Sequence, residues 1–188
     1  MKILFIAPWY LYRPILPASL LLQTHADWRL LLIHDGPLLE EVRQFVPADP
    51  RIEVTARAHR ANDWGHTLRD EALDRITADR IACDAICVTN ADNYYVPGFC
   101  VQMLAALGGA AAAYCDCVHS HRGWTLMPAA LELRSIDCGS LLVQADLALA
   151  TPWRGRGFCA DWEWIAELLA AAGPGRFVHV PRPLFVHN

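Results

Sequence analysis

Three observations predict an α/β domain with a mixed, mainly parallel central sheet. Four apolar runs, Ile3–Ala7, Leu30–Ile33, Ile52–Val54 and Ala85–Thr89, have strand length and little polar alternation, as strands buried on both faces do. Helical patterns separate them, and strand–helix–strand order implies right-handed crossovers and parallel pairing. The chain has 188 residues, 54% of them hydrophobic and 19% charged, enough apolar material for one well-filled core. No repeat, linker or low-complexity segment divides it, so residues 1–188 read as one domain with two halves, 1–93 and 94–188.

Taken in order, Ile3–Ala7 opens the sheet, and Ile15, Ala18 and Leu22 recur at helical spacing before Leu30–Ile33. Leu68, Ala72, Leu73 and Ile76 mark a second amphipathic helix, with Glu71 and Arg75 at i,i+4. Pro97 suits the first turn of a third helix carrying Cys100, Met103, Leu104 and Leu107. Ala111–Val118 reads as a strand, His119 to Leu131 as a loop, and Leu141–Val143 as a short strand. Trp162, Ile165, Ala166 and Leu169 form a last helical face closed by Gly173 and Pro174. Phe177–Val180 and Leu184–Val186 read as two brief final strands.

Composition excludes some functions. The net charge is −4, and Lys2 is the only lysine, whereas a protein that coats nucleic acid carries a basic excess. Pro8, Arg13, Pro14 and Pro17 interrupt the apolar N-terminal stretch, and its longest uncharged part, Ile3 to Tyr12, is too short to span a bilayer. Seven cysteines are odd in number and too sparse for a disulfide scaffold; Cys83, Cys87 and Cys100 fall in or beside apolar runs. A reducing, cytoplasmic setting is expected.

In open α/β sheets ligands bind beyond the carboxyl ends of the strands. His34-Asp35-Gly36 and Thr89-Asn90-Ala91-Asp92-Asn93 stand at two such ends. The stretch from Ser19 through Gln23-Thr24 and Trp28 to Asp35-Gly36 resembles the opening of the family 2 glycosyltransferases. Asn62-Asp-Trp-Gly65-His-Thr-Leu-Arg69 is similar to that family's Asn-x-x-Gly-x-x-x-Arg segment, and Asn90-Ala-Asp92 to its Asp-x-Asp motif. Asp137-Cys-Gly139-Ser resembles the acceptor-side glycine loop, Cys159-Ala160-Asp161-Trp162 the Glu-Asp element, and Leu184–Asn188 the terminal strand with its histidine. The matches run in family order along the whole chain.

The resemblance implies a glycosyltransferase-A fold and an inverting, metal-dependent transfer from a nucleoside-diphosphate sugar to an unidentified acceptor glycan or small molecule. Residues 1–93 would form the nucleotide-binding half and residues 94–188 the acceptor-side half. By resemblance, Pro8, Asp35, Arg69, Asn90 and Asp92 would bind the donor, with Asp35 at the base or ribose and Arg69 at the diphosphate, as a guanidinium suits. Asp92 and His187 would hold Mn²⁺ or Mg²⁺, which a departing diphosphate needs. Asp161 would be the general base that takes the acceptor proton; read alone, it is a first-turn helix residue. Gly139, Trp124 and Trp153 are the acceptor-side candidates. Asn90 stands where the family has its first aspartate, and Ala160 where an acidic residue is common; a non-catalytic nucleotide-sugar-binding module or partner subunit is the alternative these departures suggest.

Two further features compete for attention. Cys115, Cys117, His119 and His121 alternate as strand residues on one face would, but ligands spaced about 6.5–7 Å apart along a strand cannot surround one zinc ion; His119, His121 and Asp116 read instead as possible substrate contacts. The run Trp153-Arg-Gly-Arg156-Gly157 reads as a solvated loop and a candidate mobile lid before Asp161.

Overall fold

The computed structural model describes residues 1–10 and 14–188; Tyr12 and Arg13 of the N-terminal stretch lie outside the described residues. In order, the elements are β1 (Ile3–Trp9), α1 (Leu16–Leu21), β2 (Trp28–His34), α2 (Glu40–Arg43), β3 (Ile52–Ala56), α3 (His66–Ala78) and β4 (Ala85–Val88). Then follow β5 (Tyr94–Tyr95), α4 (Phe99–Leu107), β6 (Ala112–His119), β7 (Thr125–Met127), β8 (Leu141–Gln144), α5 (Ala145–Ala150), α6 (Ala160–Ala172) and β9 (Phe177–His187). The sheet runs β3-β2-β1-β4-β8-β6-β9-β5, with β7 on β6. β1 pairs in parallel with β2 and β4, β2 with β3 and β6 with β9, while the shorter β4–β8, β6–β8, β6–β7 and β5–β9 pairings are antiparallel. The fold is the mixed, mainly parallel α/β domain that the apolar runs imply.

Helices cover both faces. Ile3, Phe5 and Ala7 of β1 pack with Leu16, Leu20, Phe99, Cys100 and Met103 of α1 and α4. Leu4 and Ile6 pack with Leu68, Leu73 and Ile76 of α3 and with Trp164 and Ile165 of α6. All seven residues of β1 are buried, so no alternation was available to read. Both clusters rest on removal of apolar surface from water, the dominant favourable contribution to folding.

Several local expectations are corrected. α1 turns the other way: Ile15 and Leu22 are exposed, while Leu16, Ser19 and Leu20 are buried. Glu71 ion-pairs with Arg57, and Arg75 with Glu53 and Asp79, so the Glu71–Arg75 pair does not form. Pro97 precedes α4, whose N-cap is Gly98, and its carbonyl accepts from the Thr24 amide. In α6, Ala160, Trp164, Ile165 and Leu168 are the buried residues. The two final strands are one. Partnering on β6 jumps from Cys115–Val180 to Asp116–Pro183, so Pro181 and Arg182 sit in an irregularity of β9, where missing amide donors are tolerated. The loop after His119 contains β7, a hairpin partner of β6.

The sheet order reverses at β1, whose successor β2 lies on one side and β4 on the other. Among the described residues, no helix is long and apolar enough to cross a membrane.

Candidate functional site

Two cavities meet beyond the carboxyl ends of β1, β2 and β4, at the point where the strand order reverses, the usual ligand position in such sheets. The first, about 380 Å³, is lined by Pro8, Asp35, Asn90 and Asp92 among others, all at strand ends, and by the loop leading into α3. The second, about 680 Å³, is lined by Arg69, His119, His121, Asp137, Asp161 and His187 among others. Every residue around the first cavity belongs to positions 8–92, whereas the second draws on positions from 64 to 187.

Asp35 follows β2 directly and is 5% exposed. Its two carboxylate oxygens accept from the amides of Ala61 (2.7 Å) and Asn62 (3.2 Å), and Arg60 Nε lies 3.9 Å away. The arrangement fixes the loop that walls the cavity. Pro8 is the penultimate residue of the buried strand β1, and a Cβ added to Gly65 would lie 2.4 Å from Pro8 Cβ. Close backbone approach of the α3 loop to β1 therefore depends on glycine, as does its φ of +82°.

Arg69 is 2% exposed and donates to the Trp64 carbonyl at 2.9 Å and to Asn90 Oδ1. No carboxylate lies within ion-pairing distance of it among the described residues, and its Nε has no hydrogen-bond partner. A guanidinium without a carboxylate partner on a cavity wall suits an anion. It faces the second cavity, so the sequence assignment of Arg69 to the diphosphate requires that the donor reach across the junction.

Asp92 is partly buried; burial pushes its carboxyl above its ordinary value, an effect opposed by nearby His187 and Arg69. Asn188 ties the end of β9 to this loop, its side chain donating 2.5 Å to the Asp92 carbonyl. His187 Nδ1 lies 3.3 Å from Asp137 Oδ2 but is buried without a hydrogen-bond partner. Asp137 also accepts the Gly139 amide at 2.7 Å. Burial and the charge of Asp161 raise the Asp137 carboxyl. Ligating atoms of Asp137, Cys138 and Asp161 all lie within 4.8 Å of one another.

Asp161 occupies the first turn of α6, partly buried and on the wall of the second cavity. The helix N-terminus favours its charge. His66, across the cavity, is held below its usual value by burial and then by Arg69, with Asp161 and Asp63 acting in the opposite sense.

His119, His121 and His187 form a ring cluster with centroids 4.9–5.4 Å apart. Burial, followed by its two histidine neighbours and Arg122, lowers His119 to about 4. Cys115 and Cys117 are buried in the core with α4 and take no part in this cluster, so the Cys–His run is divided between core and cavity. Asp116 turns away from it, accepting from the Ala129 amide and pairing with His179 at 2.8 Å.

The three acceptor-side candidates lie outside the walls of the two cavities. Trp153 is fully buried, with its ring between those of His66 and Trp164 and Arg69 Cζ 5.1 Å from its centroid; a ring enclosed in this way cannot meet a substrate. Gly139 is a packing position: an added Cβ would lie 2.8 Å from Phe185 Cζ and 3.0 Å from Thr89 Oγ1. Trp124 is 69% exposed but lines neither cavity. The candidate lid is tied down, Arg156 donating to Asp70 (2.5 Å) and to the Trp153 carbonyl (2.8 Å). Sequence reasoning missed Asp137, His66 and Trp64. Asp137 begins the glycine loop, and Trp64 is a bulky residue beside Gly65, which was the available signal.

At the level of sequence, no family model and no curated protein matches the chain. Solved structures do. The whole chain superposes on S. aureus TarS with a TM-score of 0.76 at 14% identity, covering 37% of that chain. It also superposes on TarS 1-349 in complex with UDP (TM-score 0.75, 13% identity, 60% of that chain) and with UDP-GlcNAc (0.72, 14%, 58%). The likeness establishes the fold, a mixed, mainly parallel α/β domain like that of TarS, and the chain spans between 37% and 60% of those structures.

Proposed function

We propose that the protein is a glycosyltransferase that moves a sugar from a uridine-diphosphate donor to an acceptor hydroxyl. The observation that carries the reading is the meeting of two cavities at a strand-order switch, one lined by Asp35, Asn90 and Asp92 and the other by Asp161 and His187. Similarity to a fold solved with UDP and UDP-GlcNAc supports it.

In this reading the first cavity takes the nucleotide, with Asp35 at the base or ribose and Asn90 and Asp92 toward the ribose and diphosphate. On the same reading Asp92 and His187 would hold a divalent cation, one carboxylate and one imidazole suiting Mn²⁺ better than Mg²⁺; His187 lowers the Asp92 carboxyl, which burial raises. When bound, the cation supplies neutralising charge to the departing diphosphate. Arg69 supplies a second, permanent positive charge from its buried position.

The acceptor occupies the second cavity, where Asp161 accepts the proton of the attacking hydroxyl. The oxygen bonds to the anomeric carbon as the bond from that carbon to the diphosphate oxygen breaks, its electron pair leaving with the diphosphate. One displacement inverts the anomeric configuration. The apolar burial of Cys87, Cys100, Cys115 and Cys117 supports a reducing, cytoplasmic setting.

Thermal denaturation with UDP, GDP, CDP, dTDP and ADP, each with and without Mn²⁺, tests the donor assignment. At one hundred times Kd a ligand stabilises by about 2.7 kcal/mol, and Tm should rise by about 5–10 °C with UDP and Mn²⁺ together. An unchanged Tm across the panel would overturn the proposal.

A further inference from the structure

Trp64 is 76% exposed, and its φ of +55° lies in the left-handed region that a bulky side chain rarely adopts. No gain from burial offsets that conformation, and strain of this kind concentrates at ligand sites. The backbone is held there deliberately: the Trp64 carbonyl accepts from buried Arg69, which also bonds Asn90, and the following Gly65 presses against Pro8. Among the described residues, its one aromatic ring contact is with His66, edge-on at 6.3 Å between centroids. Among the described residues, Trp64 and Asn90 alone line both cavities.

We propose that Trp64 is the specificity-determining residue for the transferred sugar, its indole giving the C–H face of a pyranose a platform where the two cavities join. This inference rests on the donor reading above. In that reading the anomeric carbon must lie at the junction, because it is bonded to a nucleotide in one cavity and attacked by an acceptor from the other. An indole offers a broad, weakly hydrated face at little cost in side-chain entropy, and its π surface suits the slightly positive C–H bonds of one sugar face. The sugar, lying at the junction, depends on that face more than the nucleotide does.

Trp64→Gly separates this role from a structural one, since glycine accepts the positive φ without strain. Calorimetric titrations with UDP and with UDP-GlcNAc, in Mn²⁺, are compared between wild type and variant. UDP-GlcNAc affinity should fall by about tenfold or more beyond any change in UDP affinity, with Tm equal to or above that of the wild type. Trp64→Phe, which keeps an aromatic face, should retain UDP-GlcNAc affinity within about threefold. Equal changes for the two ligands, no change for either, or a fall in Tm of several degrees would each overturn the proposal. A wild-type protein that binds neither ligand would instead overturn the donor reading itself.

Discussion

Asp161→Asn should lower the rate of sugar transfer by a factor of about 10² to 10⁴, the usual contribution of a positioned general base, while UDP binding changes by less than about twofold. The substitution keeps shape and removes the negative charge and with it the capacity to take a proton. Its effect on folding is small because two contributions oppose each other. The first turn of α6 loses a favourable charge, worth about 0.3–1 kcal/mol. Asp137, whose carboxyl is raised by burial and by the charge of Asp161, loses a repulsive neighbour. Release of UDP from UDP-GlcNAc in the presence of an acceptor library measures the rate. A variant that turns over as fast as the wild type would remove Asp161 from the mechanism. A wild type that binds UDP yet never releases it from the sugar nucleotide would favour a binding module, the reading suggested by Asn90 and Ala160.

Gly65→Ala should destabilise the fold by about 3 kcal/mol, from a left-handed residue gaining a Cβ and from overpacking against β1. The added carbon would fall 2.4 Å from Pro8 Cβ and 2.7 Å from Pro8 Cγ, a rigid ring on a central strand. At this chain length Tm should drop by about 6–12 °C. Gly157→Ala is the control: its φ is not positive and nothing lies within 4 Å of the added carbon, so Tm should move by no more than about 2 °C. The same Gly65 variant should weaken UDP binding, because the loop from Asn62 to Gly65 walls the nucleotide cavity. A Gly65→Ala protein as stable as the wild type would show that α3 can back away from β1 freely, which the packing of Leu68 and Leu73 on Leu4 and Ile6 argues against.

What sequence revealed, and what it hid, follows from how local each cause is. β1, β2 and β4 were legible because uninterrupted apolar runs of this length have few alternatives to buried parallel strands. Asp35, Asn90 and Asp92 were legible with them, since a polar residue straight after such a strand must emerge at its carboxyl end. α1 spans only Leu16–Leu21, too few turns for periodicity to choose a face, so the exposed line of Ile15, Ala18 and Leu22 looked as good as the buried one. β9 looked broken at Pro181-Arg182-Pro183, and only its partner β6 shows the strand continuing, with Pro181 and Arg182 in an irregularity and Pro183 opposite Asp116. Trp153 sits in a proline- and glycine-rich segment that suggests a surface loop; its burial depends on His66 and Trp164, each distant in sequence or on another element. Asp137 acquires its role by meeting His187 across fifty positions, a contact that no spacing along the chain encodes.

The central claim concerns one place: a nucleotide diphosphate lying across the ends of β1, β2 and β4. A crystal structure of the protein with UDP and Mn²⁺ tests it most directly. The account predicts the uridine against Asp35, and the metal-bound diphosphate beside Asp92 and within reach of His187. UDP ordered elsewhere on the surface, with the cavity between Asp35 and Asp92 left open to solvent, would contradict it.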